Sequence, residues 1–312
     1  MSTRQQTYLW MIFPLVILVA CSTHGVDVKN ISLPEIQPVE LEPYARLGKY
    51  ADIEPSGLVK SRNWEDVYWS NNDSGDGPRI FAVNKQGEIY PTNDGKKEGI
   101  RIPDAVNVDW EDITIDNHGH IIIGDVGNRS INNRRDFCLY WVLEPHTDTN
   151  RISVLKKVFF TYPDYPHYTE LPAAKRNFDC EGIFWANEKV YILTKNRSDT
   201  HTSLYRLDSM KPFEVNTLTY LETLDIGGKT TAAAATPDGS KLVITTYTAI
   251  WLFEVESGTD NYFDGKISWL PIDLGQNGNE AVCFDGDSLI ISNEEGVGDL
   301  YEVPLSRLIE IK

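Results

Sequence analysis

Short apolar runs recur along the chain, and each is matched by a second run after a tight polar turn. In the clearest copy, Ile-Thr-Ile at 113–115 and Ile-Ile-Ile at 121–123 flank an Asn-His-Gly turn, with Glu111 before the first run and Asp125 after the second. Two apolar strands joined by such a turn predict an antiparallel hairpin. Four other segments follow the pattern, one without the leading acid: 54–73, 181–195, 233–247 and 280–293.

The residues after each hairpin extend the repeat. A third strand is readable in all five copies and a fourth in four of them. Repeated four-stranded units indicate sheets arranged around an axis, so we predict an all-β fold, a five-bladed β-propeller. Six blades are the alternative if the N-terminal segment holds a degenerate unit. The last unit lacks its outer strand, which an N-terminal strand from residues 30–44 could supply and so close the ring.

The first twenty residues have the pattern of a secretory signal. Arg4 precedes an apolar run at 8–20, which is too short to span a bilayer. The run ends in Leu-Val-Ala-Cys21, which resembles a bacterial lipoprotein signal. That resemblance implies cleavage before Cys21, its lipidation, and a membrane anchor in the bacterial cell envelope. Ser22 implies sorting to the outer membrane. An ordinary signal peptide with a chance cysteine is the alternative.

The remaining chain divides into a tether and one domain. Residues 21–50 contain Pro34, Pro38 and Pro43 among acidic and apolar positions, without a helical period. We predict that this segment is a spacer that includes the closing strand. Residues 51–312 form the propeller domain.

Charge excludes one class of partner. The formal net charge is −17, and loss of residues 1–20 removes one cation, giving 28 − 46 = −18. A basic groove for nucleic acid therefore has no support. Of the four cysteines, Cys138, Cys180 and Cys283 remain beside Cys21, and we expect buried free thiols, with one disulfide as the alternative.

The hairpin geometry predicts an acidic mouth. In a propeller the first strands line the central channel, and the ends of a hairpin lie side by side. The residues at these ends should therefore meet around one opening: Glu54, Asp73, Glu111, Asp125, Glu181, Glu280 and Asn293.

Several carboxylates so close together need compensation by protonation, a nearby cation or a bound metal. Lys195 falls where the other copies carry Asp or Asn, as at Asp125 and Asn293, so it can neutralise Glu181 and a neighbouring acid. The remaining Glu, Asp and Asn oxygens suit calcium, and the lack of His or Cys at these positions argues against zinc or copper. We predict metal ligands at Glu54, Asp73, Glu111, Asp125, Glu280 and Asn293, and no organic cofactor.

The arrangement resembles propellers that hold calcium at one mouth: the regucalcin and gluconolactonase group, the paraoxonases and the calcium-dependent nucleotidases. The phrase Glu-Gly-Ile-Phe-Trp at 181–185 is similar to a first strand of the regucalcin group. The likeness is one of architecture and a few dipeptides. The phrases Asp109-Trp-Glu-Asp112 and Gly124-Asp-Val-Gly-Asn128 also resemble those of secreted bacterial propellers without a settled activity.

Two long loops should overhang the same mouth. One carries His167, Lys175 and Arg176, which could supply a base and an anion clamp, and the other carries Arg129 and Arg134. The alternatives are a solvated loop and arginines that only pair with nearby acids. The candidate catalytic residues are thus Glu111, Glu181, Lys195 and His167.

Three roles for the acids remain open: bonding between blades, a structural ion, and a metal-assisted hydrolytic site. They lead to two functions, a non-catalytic binding or scaffold lipoprotein with a protein or small-molecule partner, and a metal-dependent hydrolase of an ester, lactone or phosphoester. Lys195 separates them. In a scaffold it should be sealed in a salt bridge with Glu181, whereas in a hydrolase it should face the substrate or leave the acids to the ion.

Overall fold

A computed structural model describes residues 27–128, 134–165, 177–274, 278–293 and 298–312. Several predicted features lie outside these ranges: the signal segment 1–20, Cys21, Arg129, His167, Lys175 and Arg176. The described chain is almost entirely β, and two single 3-10 turns, Tyr262–Asp264 and Leu305–Arg307, are its helical parts. Within the described ranges, no helix is both long and apolar enough to cross a membrane.

The strands form five sheets, which we number as blades in chain order. Blade 1 contains the strands Pro55–Lys60, Tyr68–Asn72, Arg79–Val83 and Ile100–Arg101. Blade 2 contains Trp110–Ile115, His120–Asp125, Cys138–Leu143 and Val154–Thr161. Blade 3 contains Asp179–Ala186, Lys189–Lys195, His201–Leu207 and Thr219–Asp225.

The last two blades follow the same order. Blade 4 contains Thr230–Ala235, Lys241–Thr246, Ala249–Glu254 and Lys266–Asp273. Blade 5 contains Asn279–Asp285, Ser288–Asn293 and Asp299–Pro304 from the C-terminal part of the chain. The innermost strands of successive blades pack together, and that of blade 5 packs against that of blade 1. The predicted five-bladed β-propeller is confirmed.

Short strands from the N-terminal segment are added to the outer edges of three blades. Ala45–Arg46 is the fourth strand of blade 5, antiparallel to Asp299–Leu300. Ala45–Arg46 begins one residue beyond the segment 30–44, in which we predicted the outer strand of the last blade. Within that segment, Val39–Glu40 pairs with blade 4 in parallel. Val28–Lys29, which precedes the segment, pairs in parallel with blade 3.

Two further short strands complete the edges. Val215–Thr217 lies parallel to the outer strand of blade 2, and Ile309–Glu310 lies antiparallel to the outer strand of blade 4. The outermost strands of these blades are therefore paired with other segments, which reduces the exposed sheet edge.

The core lies between neighbouring blades, and the apolar runs show why. Ile121 and Ile123 pack into the cluster shared with blade 1, whereas Ile122 packs into the cluster shared with blade 3. Successive side chains of a strand point to opposite faces, so a sheet that is covered on both faces needs a continuous apolar run. Burial of each such side chain contributes about 1.5–3 kcal/mol. The three cysteines of the domain are buried free thiols, as predicted.

Candidate functional site

A β-bulge occurs at the same point in the inner strand of every blade. The pairing register shifts by one residue there, and one residue of the inner strand has no partner opposite it. A bulge re-aims the side chain of its extra residue. The bulged residues are Ser56, Glu111, Glu181, Thr231 and Glu280.

The bulges explain which predicted residues are equivalent. Glu111, Glu181 and Glu280 are equivalent, as the sequence pattern predicted. In blade 1 the equivalent residue is Ser56, whereas Glu54 precedes the strand, is exposed, and accepts a hydrogen bond from Asp73 N–H through its backbone carbonyl at 2.9 Å. Blade 4, which lacks the acid, has Thr231 at the bulge.

The bulges also determine which residues at the ends of the second strands are equivalent. In each blade, that residue is the one paired with the inner-strand residue just before the bulge. The equivalent positions are Asn72, Asp125, Thr194, Thr246 and Asn293, all buried. Lys195 lies one residue further on, so its equivalent in blade 1 is Asp73. The prediction that Lys195 replaces the Asp125 and Asn293 positions was therefore wrong by one residue.

Two groups of carboxylates meet at this mouth, and Glu111 belongs to both. Oxygens of Asp73, Asp109 and Glu111 lie within 4.8 Å of one another, and so do oxygens of Glu111, Asp179 and Glu181. Glu111 and Glu181 are 6% and 4% exposed, and Asp179 is fully buried. Glu111 thus joins blade 1 to blade 3 through a line of acids.

Two cations compensate the acids of blade 3. Lys195 Nζ lies 3.1 Å from Glu181 Oε1, and both side chains are about 5% exposed or less. Arg197 donates to Glu181 Oε1 at 3.1 Å and, through Nε, to Asp179 Oδ2 at 2.6 Å. Asn128 N–H donates to the other Asp179 oxygen at 2.7 Å. The Asp179–Glu181 side of the mouth is therefore held by hydrogen-bonded ion pairs.

The electrostatics differ between the two glutamates. Burial raises the pKa of Glu111 well above its usual 4.5, and the neighbouring charges of Glu181, Asp73, Asp179 and Asp109 raise it further. Burial also raises the pKa of Glu181, but Lys195 and Arg197 oppose that rise. Burial would lower the pKa of Lys195, but the charges of Glu181 and Glu280 raise it above its usual 10.5. The surroundings of Glu111 thus favour a proton or a bound cation, whereas Glu181 already has two cationic partners.

Gly127 lies directly against the group formed by Asp73, Asp109 and Glu111. A Cβ atom at this position would lie 2.1 Å from Glu111 Oε1 and 2.4 Å from Asp109 Oδ2. The two carboxylate oxygens therefore converge on backbone that only glycine leaves open. The donor set is hard oxygen, which suits calcium. The residues present fit a divalent cation between blades 1 and 2.

Other predicted residues have other partners. Arg134, a predicted anion-binding residue, donates to Asp125 Oδ1 at 2.5 Å and to Asp136 Oδ1 at 2.9 Å, with a side chain that is 9% exposed. Arg134 therefore pairs with acids, which was the alternative interpretation. Asp125 accepts this bond and lies outside both carboxylate groups described above.

Blade 5 presents amides to the same end of the channel. Asn293 Oδ1 accepts from Asp299 N–H at 2.7 Å, and Asn279 Oδ1 accepts from Thr231 Oγ1 at 2.8 Å. The Nδ2 atoms of both asparagines are buried without a protein acceptor in the parts of the chain that the structure describes. Glu280 is 6% exposed on the same strand.

Four residues of this mouth were not predicted as site residues from the sequence. Tyr247 lies with its ring centroid 5.0 Å from Lys195 Nζ, and Asp109, Asp179 and Arg197 supply charges. Asp109 immediately precedes its inner strand and Asp179 is the first residue of its own, and each lies two residues before the bulged glutamate. That Asp-x-Glu spacing was the available signal.

Neither a protein-family model nor a curated protein matches this chain. Among solved structures, a catalytically inactive virginiamycin B lyase from Staphylococcus aureus with quinupristin aligns at 16% identity and a TM-score of 0.39, over 80% of this chain and 66% of that one. A candidate gluconolactonase aligns at 11% identity and a TM-score of 0.41, over 87% of this chain and 96% of that one.

Kuenenia stuttgartiensis hydrazine synthase aligns at 10% identity and a TM-score of 0.43, covering 80% of this chain and 83% of that one. The chain spans 66% of the length of the virginiamycin B lyase. These likenesses concern overall architecture, and they include the gluconolactonase-like propellers named from the sequence.

Proposed function

We propose that this protein is a non-catalytic binding lipoprotein of the bacterial envelope, whose propeller mouth holds a calcium ion and presents it to a partner. The observation that carries the proposal is the buried contact between Lys195 and Glu181 at 3.1 Å. A lysine that is sealed against Glu181 and a tyrosine ring is the arrangement expected of a scaffold, whereas a hydrolase would need this cation to face its substrate or to leave the acids to the ion.

Calcium is proposed at the other side of the mouth. Asp73, Asp109 and Glu111 bring oxygens within 4.8 Å of one another. Calcium binds six to eight oxygens, and backbone carbonyls, amides and waters can complete its shell. We assign the ion to blades 1 and 2, because oxygens of Asp73, Asp109 and Glu111 converge there and Gly127 leaves space beside two of them.

The anchor and location rest on the sequence. Cleavage before Cys21 and its acylation would tether the propeller to the membrane through the residues that precede Val28–Lys29, the first strand paired with a blade. Two or more acyl chains give a stable anchor. A protein or small-molecule ligand would then be held at the outer membrane, and the net charge of −17 disfavours nucleic acid.

Thermal unfolding of the full-length chain, first with chelator and then with calcium, tests the cation. At a calcium concentration of about 100 Kd, binding stabilises a protein by about 2.7 kcal/mol, which corresponds to a rise in Tm of about 5–10 °C for a domain of this size. We expect the rise in the wild type and in the exposed control Glu256→Gln, but not in Glu111→Gln. Absence of a rise in the wild type, or an equal rise in Glu111→Gln, would remove calcium from this mouth.

A metal-dependent hydrolase is the second candidate, and the environment of Glu111 favours it. A buried carboxyl with a raised pKa beside other acids is typical of a general acid or base. In that case Glu111 would hold the proton that moves between water and an ester, lactone or phosphoester. Calcium-dependent hydrolysis of p-nitrophenyl acetate, a γ-lactone or p-nitrophenyl phosphate, abolished in Glu111→Gln, would replace the binding proposal by this one.

A further inference from the structure

The opposite end of the central channel contains a cavity of about 330 Å³. Its walls come from the far ends of the inner strands of blades 1, 2, 4 and 5, so it is separate from the acidic mouth. The volume lies in the range of small-molecule sites. The cavity therefore calls for its own account.

The cavity wall is largely apolar. The inner strands contribute side chains that include Leu58, Ile113, Ile115, Ala234 and Phe284. Leu58, Ile113 and Ile115 are each 2% exposed, whereas Ala234, Ala235 and Phe284 are half-buried and present more apolar surface to the cavity. Such a lining favours the hydrocarbon or aromatic body of a ligand.

The charged residues that line the cavity, Lys60 and Arg62, are both cations. Lys60 forms an ion pair with Asp285, which lies outside the lining. Among the described residues, the side chain of Arg62 forms one hydrogen bond, which its Nη1 donates to Asn117 Oδ1. A guanidinium has five N–H donors, so Arg62 retains donors for a further acceptor. Burial lowers the pKa of Arg62, although the charges of Asp116 and Glu144 oppose this.

Asn117 fixes Arg62 at the rim of the cavity. Its Nδ2 donates to the carbonyl of Pro237 at 3.1 Å, and Pro237 also lines the cavity. The turn of blade 2 is thereby linked to the turn of blade 4. The Oδ1 atom of Asn117 accepts the hydrogen bond from the Arg62 guanidinium of blade 1. Arg62 is held in place before any ligand arrives, which lowers the entropic cost of binding.

We propose that this cavity binds a small organic monoanion, whose carboxylate bonds to Arg62 and whose apolar body lies against the inner-strand side chains. Arginine matches a carboxylate with two parallel hydrogen bonds. In a chain with a net charge of −17, the Arg62 guanidinium at the rim of a largely apolar cavity is complementary to an anion. The inference goes beyond the proposed function, since it concerns the other end of the channel.

Isothermal titration of the full-length chain with benzoate, and with its neutral isostere benzamide, tests the proposal. We expect saturable binding of benzoate and at least tenfold weaker binding of benzamide. Arg62→Gln should weaken benzoate binding by tenfold or more, because charge-assisted hydrogen bonds are lost. Arg101→Gln removes a cation from the surface of the same blade and should leave binding unchanged.

Ala234→Leu is a second variant that keeps every charge and fills the cavity from blade 4. It should also weaken benzoate binding by tenfold or more, which keeps the proposal testable if Arg62→Gln does not fold. The proposal is overturned if benzoate shows no saturable binding, if benzamide binds equally well, or if Ala234→Leu binds benzoate like the wild type. Calcium binding at the acidic mouth should be the same in both variants.

Discussion

Lys195 and Glu181 form a buried ion pair, with Nζ 3.1 Å from Oε1, at the mouth of the propeller channel. Both residues belong to blade 3, one from the end of its second strand and one from the bulge of its inner strand. Arg197 shares the same Glu181 oxygen at 3.1 Å. The pair therefore divides the acidic mouth into a side held by cations and a side, around Glu111, that favours a bound ion or a proton.

Loss of the cation should be costly. Lys195→Met keeps much of the side-chain volume but leaves Glu181 with Arg197 alone, and removal of one partner from a buried pair costs about 3–5 kcal/mol. Because Arg197 remains, we expect a fall in the free energy of unfolding of about 3 kcal/mol at pH 7. Urea denaturation measures it.

A second substitution separates the ion pair from simple packing. In the double variant Lys195→Met with Glu181→Gln, the carboxylate that contacts Lys195 at 3.1 Å is removed as well, so stability should recover by at least half of the loss. A double variant that is as unstable as, or less stable than, Lys195→Met would mean that lost packing, and not the buried charge, causes the effect.

Glu111 should make stability depend on pH in the absence of calcium. Its pKa is raised well above 4.5 in the folded chain by burial and by the acids around it. The folded state then binds more protons than the unfolded state, so stability falls as the pH rises above 4.5 toward the folded pKa. Glu111→Gln should remove this contribution and stabilise the protein at pH 8 in chelator, by about 1 kcal/mol or more.

Calcium should reverse the order of stability of the wild type and Glu111→Gln. With the ion present, the wild type should be more stable than Glu111→Gln, whereas in chelator it should be less stable. Glu256→Gln, an exposed acid on blade 4, should follow the wild type in both conditions. The same order in chelator and in calcium would count against Glu111 as a ligand.

Asp285 links blade 5 to blade 1 and should stabilise the closed ring. Burial would raise its pKa, but hydrogen bonds from Lys60, Lys85 and Tyr68 lower the pKa from 3.8 to about 2. Asp285→Asn should therefore lower the free energy of unfolding at pH 7 by about 1–3 kcal/mol. The wild-type advantage is present above pH 3.8 and declines as the pH falls toward 2. Urea denaturation at pH 7 and pH 3 measures both values, and an equal difference at the two pH values would contradict the assignment.

The lipid anchor has its own test in a Gram-negative host. Metabolic labelling with palmitate should mark the wild type, and Cys21→Ala should abolish both the label and signal cleavage. Ser22→Asp should keep the label but move the protein from the outer to the inner membrane fraction. Label that persists in Cys21→Ala would disprove lipidation at this cysteine.

The hairpins and blades could be predicted because apolar side chains are needed on both faces of each sheet. The run at 121–123 shows this, since Ile122 packs on one neighbouring blade and Ile121 and Ile123 on the other. The register at the mouth could not be predicted. A bulge adds one residue to a single strand, and no residue type in these five strands marks it. For that reason Glu54 was assigned to the bulge position, which Ser56 occupies. Lys195 was assigned to the end position of the second strand, which Thr194 occupies.

The partners of the acids were also beyond the sequence. Arg197 lies in a loop after the second strand, and nothing local shows that it turns back to Asp179. Arg134, expected to bind anions, is instead buried against Asp125. Charges along a loop predict that an ion pair will form, but the partner is set by the packing of blades, which depends on residues far apart in the chain.

The most direct test of the central claim is a crystal structure of the protein crystallised with calcium. Diffraction data are collected at a wavelength that gives an anomalous calcium signal. The account predicts one peak at the mouth, about 2.3–2.6 Å from oxygens of Asp73, Asp109 and Glu111. No peak at the mouth, or a peak beside Glu181 with Lys195 displaced, would contradict it.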